Sequence, residues 1–291
     1  MDMEKNMSRI SYSQLSMYNE CPFKWKLNYV DKLSIFESNI YLIFGTAMHE
    51  VLQTYLEVMY NDTIKSADML DLEEMLRDKM IEQFKLRKEE EGKPPCTKED
   101  INEFFKDGCD IIDFFKKKRG QYFSRRGYKL IGCEVPIEVD MEKNIKMVGY
   151  LDIVILDEIT DRIKIYDIKT STMGWNKWQK KDENKTQQLL LYKKFYSEQY
   201  DHPIDRIDVE YFIVKRKLWE NLDFPQKRVQ KFVPANGTPS INKVSRRLDI
   251  FLNEAFTEDG EKKDDMLPTP SKKACRWCEF NRTEHCSVGV K

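Results

Sequence analysis

Residues 149–157 read Gly-Tyr-Leu-Asp-Ile-Val-Ile-Leu-Asp, residues 162–170 read Arg-Ile-Lys-Ile-Tyr-Asp-Ile-Lys-Thr, and residues 185–192 read Lys-Thr-Gln-Gln-Leu-Leu-Leu-Tyr. The first two are apolar, β-branched runs parted by Asp157-Glu158-Ile159-Thr160-Asp161, the pattern of a hairpin. Each run carries one acid, Asp152 or Asp167, in otherwise apolar surroundings. A carboxylate in a buried strand needs a compensating partner, because an unpaired buried charge is very unfavourable. Asp167 and Lys169 are two residues apart and leave a strand by the same face. Two acids and an amine on one sheet face make a candidate cation site with a charged helper. Gln188 and Tyr192, four apart in a helical segment, share a helix face.

Working outward, the flanking segments predict a mixed α/β fold. Ser11–Asn19 starts with hydroxyl residues suited to capping a short helix, and Pro22 is placed to open the next one, Phe23 to Val30. A long helix is expected from Tyr41 to Tyr60, in which Gly45 and Ala47 permit close approach by another backbone or a ligand. Charge-interleaved apolar spacing predicts helices over Ser66 to Arg87 and Lys98 to Tyr122, with Lys88 to Pro95 as a charged linker. Tyr128 to Val139 alternates like a strand and ends at a turn over Asp140 to Asn144. Beyond the hairpin come a loop that carries Trp175 and Trp178, a helix (Thr186 to Tyr200), strands (Arg206 to Lys215 and Arg228 to Pro234), a helix (Ile241 to Phe256) and a cysteine-rich tail. The expectation is one domain over 1–291: a helical N-terminal part to about 125, a core with a mixed central sheet flanked by helices over about 126–235, and a C-terminal helix with the cysteine cluster from about 236.

In the 291-residue chain, Lys plus Arg (49) nearly cancels Asp plus Glu (50). That balance neither announces nor excludes a nucleic-acid partner, since acids that hold a metal offset the charge of a basic cleft. The opening Met-Asp-Met-Glu-Lys-Asn-Met has no apolar core of the signal-peptide kind, and no apolar run approaches a membrane span. This reads as a cytoplasmic setting without a membrane partner, in which the seven cysteines are not expected to form a disulfide framework. Three histidines with no nucleophile elbow give little support to acyl transfer, and the absence of a Gly-x-x-x-x-Gly-Lys-Ser/Thr loop argues against ATP hydrolysis.

Asp-x-Lys alone would fit a surface hairpin. With Asp152, His49 and the Gln188/Tyr192 pair beside it, the set suits Mg²⁺ or Mn²⁺ and phosphodiester chemistry. Taken in order, Gly45-x-x-x-His49, Gly149-Tyr150-x-Asp152, Asp167-x-Lys169 and Gln188-x-x-x-Tyr192 resemble the PD-(D/E)XK nuclease superfamily, and within it the RecB/AddB-type and CRISPR-associated RecB-like exonucleases. The resemblance implies a restriction-endonuclease-like core acting on DNA ends, in recombination, repair or phage DNA processing, with any helicase or recombination partner a separate polypeptide. It implies His49, Asp152, Asp167 and the Ile168 carbonyl as metal ligands and Lys169 as the catalytic lysine. Gln188 and Tyr192 would position the lysine or the DNA, and Glu134 on the preceding strand is either a further member or a strand-edge acid. The competing reading is a DNA-binding or assembly subunit with the same fold and no catalysis.

Cys275-Arg-Trp-Cys278 with Cys286 beyond supplies three thiols, and Cys21 could supply a fourth. Four thiolates serve zinc or an iron–sulfur cluster alike, and His285 could replace one of them at a zinc site. The run Ser11-x-Ser13-x-Leu15-x-x-Tyr18-x-x-Cys21-Pro22 resembles the first-cysteine segment of nucleases in which such cysteines hold a 4Fe–4S cluster, which implies an Fe–S-stapled C-terminus with Zn²⁺ as the alternative. Cys96, Cys109 and Cys133 lack ligand spacing and read as structural. Basic stretches at Lys116 to Arg119, Arg125-Arg126, Trp175 to Lys185 and Lys215-Arg216-Lys217 are candidate phosphate contacts, with Trp175 or Trp178 to stack on bases.

Overall fold

The computed structural model describes residues 7–33, 37–219, 223–224 and 226–291. Most of the N-terminal run read above for a signal peptide, residues 1–6, lies outside them. In chain order the elements are β1 (Ser8–Ile10), α1 (Tyr12–Glu20), α2 (Pro22–Tyr29), α3 (Ile40–Asn61), α4 (Ile64–Asp68), α5 (Leu72–Glu91), α6 (Lys98–Tyr122), β2 (Tyr128–Met141), β3 (Ile145–Asp157) and β4 (Arg162–Ser171). There follow α7 (Lys177–Lys181), α8 (Glu183–Thr186), α9 (Gln188–Gln199), β5 (Ile207–Lys215), β6 (Val229–Phe232), α10 (Thr238–Ala255) and α11 (Lys272–Cys275).

The strands form a six-stranded mixed sheet. β2 covers one edge of β3 along its whole length, antiparallel, from Tyr128↔Asp157 to Met141↔Ile145. The other edge of β3 is shared. β1 pairs in parallel with Ile145 to Met147, and β4 pairs antiparallel with Ile153 to Asp157. Between these stretches, residues 148–152 have no strand partner on that edge among the described residues. β4 goes on to pair in parallel with β5 from Ile163↔Ile207 to Ser171↔Lys215, and β6 closes the sheet. The β3–β4 hairpin therefore splays open after Ile153↔Tyr166. Asp152 and Asp167 are the first residues past the last pair.

Alternating side chains build a core on each face of the sheet. On one, α1, α2, α9 and α10 bring Leu15, Trp25, Leu191, Phe195 and Phe251 onto Met147, Ile165 and Ile213. On the other, α3 to α6 bring Phe44, Leu52, Leu76 and Ile112 onto Ile153, Ile168 and Phe212. Each such side chain, taken fully out of water, contributes about 1.5–3 kcal/mol.

The structure corrects four expectations. The N-terminal part is not wholly helical, since β1 joins the sheet; three residues are too few to show a strand period. The segment 66–87 is two helices, because Asp71 caps α5 by accepting from the Glu74 amide. α5 then runs through the supposed linker to Glu91, its charged residues forming a solvated face, and stops at Gly92 with φ +69°. The segment after β4 is not all loop, since it holds α7 and α8.

Candidate active site at the splayed strands

A hairpin that opens leaves backbone groups without their ladder partners, and buried ones must be met otherwise. Here side chains meet them. Asp152 Oδ2 accepts from the Ile168 amide at 2.7 Å, and Gln53 Nε2 donates to the Asp152 carbonyl at 3.1 Å and to Glu134 Oε1 at 2.6 Å. Gln53 comes from α3, which lies across the fork. A Cβ on Gly45 would stand 3.4 Å from Thr170 Oγ1, so Gly45 rests on β4; His49 and Gln53 follow at successive four-residue steps on the same helix face. His49 Nδ1 is 3.7 Å from Asp152 Oδ2.

From the other side of the sheet, Lys169 Nζ reaches Asp167 Oδ2 at 2.8 Å. α9 presents Gln188, whose Nε2 is 3.1 Å from Tyr192 Oη. The Tyr192 ring lies over Gly149: a Cβ there would come within 2.8 Å of Cε1 and 2.9 Å of Oη. Gly149 is a glycine because this phenol occupies the space where a side chain would stand.

The electrostatics follow from burial. Asp152 and Asp167 are each pushed up to about 6 by loss of solvent, against the pull of the Lys169 ammonium. For Lys169, burial works toward the neutral amine, but Asp167 and Asp152 outweigh it and its pKa is raised. Burial and nearby Lys169 lower the His49 pKa, opposed by Asp167 and the Ile168 backbone, which favours a neutral imidazole. Burial raises the Tyr192 phenol.

His49, Asp152, Ile168, Asp167, Lys169, Gln188 and Tyr192 are thus brought to one fork. Glu134 is there too, held in the left-handed region (φ +48°) on β2. Gln53 went unnoticed in the sequence, although its place four residues after His49 on an apolar face was a usable signal. Among the described residues no group of three or more His, Cys, Asp or Glu side chains stands placed to hold a metal ion. At the fork, the Lys169 ammonium and the Ile168 amide already engage the two carboxylates. In kind, the donors fit a divalent cation: two carboxylates whose charge burial penalises, and a neutral imidazole.

Cys21, Cys275, Cys278 and Cys286 line a single pocket between α2 and the C-terminal segment. Cys275 is buried, the other three half-buried, and the thiol of Cys278 is raised chiefly by burial. Four sulfur donors at one pocket suit iron–sulfur or zinc alike. His285 is not among the residues lining it and packs edge-on against Phe280. Cys96, Cys109 and Cys133 lie elsewhere; burial pushes the Cys133 thiol up to about 12 and the Cys109 thiol up to about 11.

The structure removes Trp175 and Arg216 from the candidate nucleic-acid contacts. Trp175 is buried against Tyr211, ring centroids 4.9 Å apart, so it is a core residue and cannot stack on a base; Trp178 is exposed. Arg216 is buried over the Phe104 ring at 3.8 Å and paired with Asp107 and Glu103, which Lys217 joins. Lys116 and Arg119 are likewise engaged, with the Asp68 and Leu70 carbonyls and the Asp68 carboxylate.

A mixed sheet between two helical layers, with this fork at its centre, is consistent with a restriction-endonuclease-like core. Comparison with known proteins gives the family. The chain belongs to the PD-(D/E)XK nuclease superfamily, whose family model matches residues 9–283. Among solved structures it is similar to a protein from Eubacterium rectale named "Putative exonuclease", at 14% identity, covering 97% of this chain and 91% of that one, with a TM-score of 0.49. No curated protein matches. No helix among the described residues is long and apolar enough to cross a membrane.

Proposed function

We propose that this nuclease is a metal-dependent deoxyribonuclease of the RecB-like kind, one domain over 1–291, that hydrolyses DNA from its ends. The observation that carries the reading is the fork itself: the buried Asp167 carboxylate with an ammonium 2.8 Å away and the half-buried Asp152 carboxylate with an imidazole 3.7 Å away, where the sheet opens. His49, Asp152, Asp167 and the Ile168 carbonyl would hold Mg²⁺ or Mn²⁺, which supplies Lewis-acid activation of water and stabilises charge on the phosphate.

The chain's own residues supply the rest. Lys169, kept protonated by its two acids, places a positive charge where negative charge grows on the phosphate oxygens, and its ammonium can orient the attacking water. Tyr192, kept protonated by burial, is a donor fixed by Gln188 and by the bare Gly149 backbone. Neutral His49 keeps a ring nitrogen available as a ligand. Cys21, Cys275, Cys278 and Cys286 would hold a 4Fe–4S cluster, or zinc, tying the two chain ends together. The setting is cytoplasmic, in recombination, repair or phage DNA processing, with a helicase as a separate partner.

The test uses end-labelled linear DNA and closed circles with Mg²⁺, Mn²⁺ or chelator, beside Lys169→Ala and Asp167→Ala. Metal-dependent loss of linear DNA, abolished in both variants, is expected. Cutting of circles would make the enzyme an endonuclease. No hydrolysis of DNA or RNA under any condition would favour a binding or assembly subunit. Iron or zinc analysis of the purified protein, with Cys21→Ser as control, reports on the cysteine site.

A further inference from the structure

The six residues before α9 are held by side chains from four other elements. Tyr12 Oη of α1 donates to the Asn184 carbonyl at 3.0 Å, and Tyr211 Oη of β5 to the Lys185 carbonyl at 2.8 Å. Lys273 of α11 pairs with Asp182 at 3.0 Å, and Lys243 of α10 with Glu183. At the centre is Arg247 of α10. Its Nη2 donates to Glu183 Oε2 at 2.5 Å and its Nη1 to Gln187 Oε1 at 2.7 Å. Gln187 is buried and is the N-cap of α9, one residue before Gln188.

We propose that Arg247 is a positioning residue for the nuclease reaction, a clamp that fixes where α9 starts and hence where Gln188 and Tyr192 stand over Gly149 at the fork. The proposal rests on the role given above to those two residues. A helix whose first turn slips by one residue turns its side chains by about 100°. Tyr192 would then leave Gly149, and Gln188, on the same helix face, would turn away with it. A planar guanidinium suits the task because it forks to two acceptors in a fixed geometry, whereas an ammonium is a single point charge. Arg247 touches neither the fork acids nor Lys169 in the structure, so its effect on the reaction passes through α9.

Steady-state hydrolysis of linear DNA by the full chain with Mg²⁺ tests this, comparing wild type, Arg247→Met, Arg247→Lys and Gln188→Ala, with melting curves for each. Arg247→Met is expected to lower kcat about tenfold or more with KM and its salt dependence unchanged, the signature of lost positioning. Arg247→Lys should recover part of kcat. A rise in KM with a weaker salt dependence and normal kcat would instead make Arg247 a phosphate contact and overturn the proposal. Unchanged kcat in Arg247→Met while Gln188→Ala is impaired would also overturn it. Unchanged kcat in Gln188→Ala would overturn the reading of α9 beneath it, and the proposal with it. If Arg247→Met does not fold, Gln187→Met, which removes only the Nη1 acceptor, carries the same test.

Discussion

Asp152 should make the metal-free protein less stable, and replacing it with asparagine should make that protein more stable while destroying its activity. The carboxylate is raised from 3.8 to about 6 in the fold, with burial the leading cause. Its side chain is only 14% exposed, so solvent screens little of this. The difference corresponds to about 3 kcal/mol against the charged form. The sign follows from linkage. A carboxylate whose pKa is raised on folding destabilises the fold fully above about pH 6, and the penalty fades as pH falls toward 3.8. The asparagine side chain would carry no charge, and its amide oxygen can still accept from the Ile168 amide. In chelator at pH 8, Asp152→Asn should therefore melt about 5 °C higher than wild type, a gain that shrinks steadily toward pH 4. Asp152→Ala removes the acceptor as well, leaves the Ile168 amide unpaired and should lose about 1–3 kcal/mol of that gain. Calorimetry of the three proteins across pH, with DNA hydrolysis measured alongside, checks this. An Asp152→Asn protein no more stable than wild type at pH 8 would refute the account of the fork as a desolvated acid pair.

Three further outcomes are expected. Gly149→Ala should push Tyr192 off the strand, since the added carbon would stand 2.8 Å from its ring; urea melts should show about 1–3 kcal/mol of destabilisation and assays a fall in kcat. Asp107→Leu leaves the buried Arg216 with only Glu103 and should lower stability by about 3 kcal/mol, whereas pairing it with Arg216→Met should restore most of the loss. The double variant should bind DNA with the salt dependence of wild type, as expected of a cation committed to the core. Trp175→Ala should lower stability by about 3–5 kcal/mol, while Trp178→Ala should melt within about 0.5 kcal/mol of wild type and weaken single-strand binding by fluorescence titration if its exposed ring stacks on bases.

What the sequence disclosed and what it hid divide along physical lines. Asp152, Asp167 and Lys169 were legible because strand alternation assigns faces from position alone, and an acid inside an apolar strand is conspicuous. Gln188 and Tyr192 were legible for the matching helical reason. Glu134 was legible only as one of two alternatives, because its aim depends on a left-handed backbone at one residue of β2, which no side-chain pattern encodes. Arg216 was misread because its neutralising partners, Asp107 and Glu103, lie on α6 far away in the chain, and a run of basic residues looks the same whether solvated or paired. Trp175 was misread in the same way, since the Tyr211 and Phe232 rings that enclose it come from β5 and β6.

The fork also explains why site and scaffold cannot be separated here. Sheet cohesion past Tyr166 comes from β4 on β5, which stay paired through Ser171 and Lys215, so β3 is free to leave without breaking the sheet. Its departure strips backbone groups of their partners on both strands. Asp152 takes the Ile168 amide, and Gln53 takes the Asp152 carbonyl. The residue that completes the broken ladder is therefore also an acid of the site, and the helix that presents His49 also supplies the amide that caps the opening. A sheet that went on pairing would offer the Ile168 amide a backbone carbonyl of β3 in place of the Asp152 side chain. It would also bring Asp152 and Asp167 into register opposite each other, two carboxylates competing for one solvent-poor space. Repulsion between those acids, offset on one side by Lys169, favours the open strands.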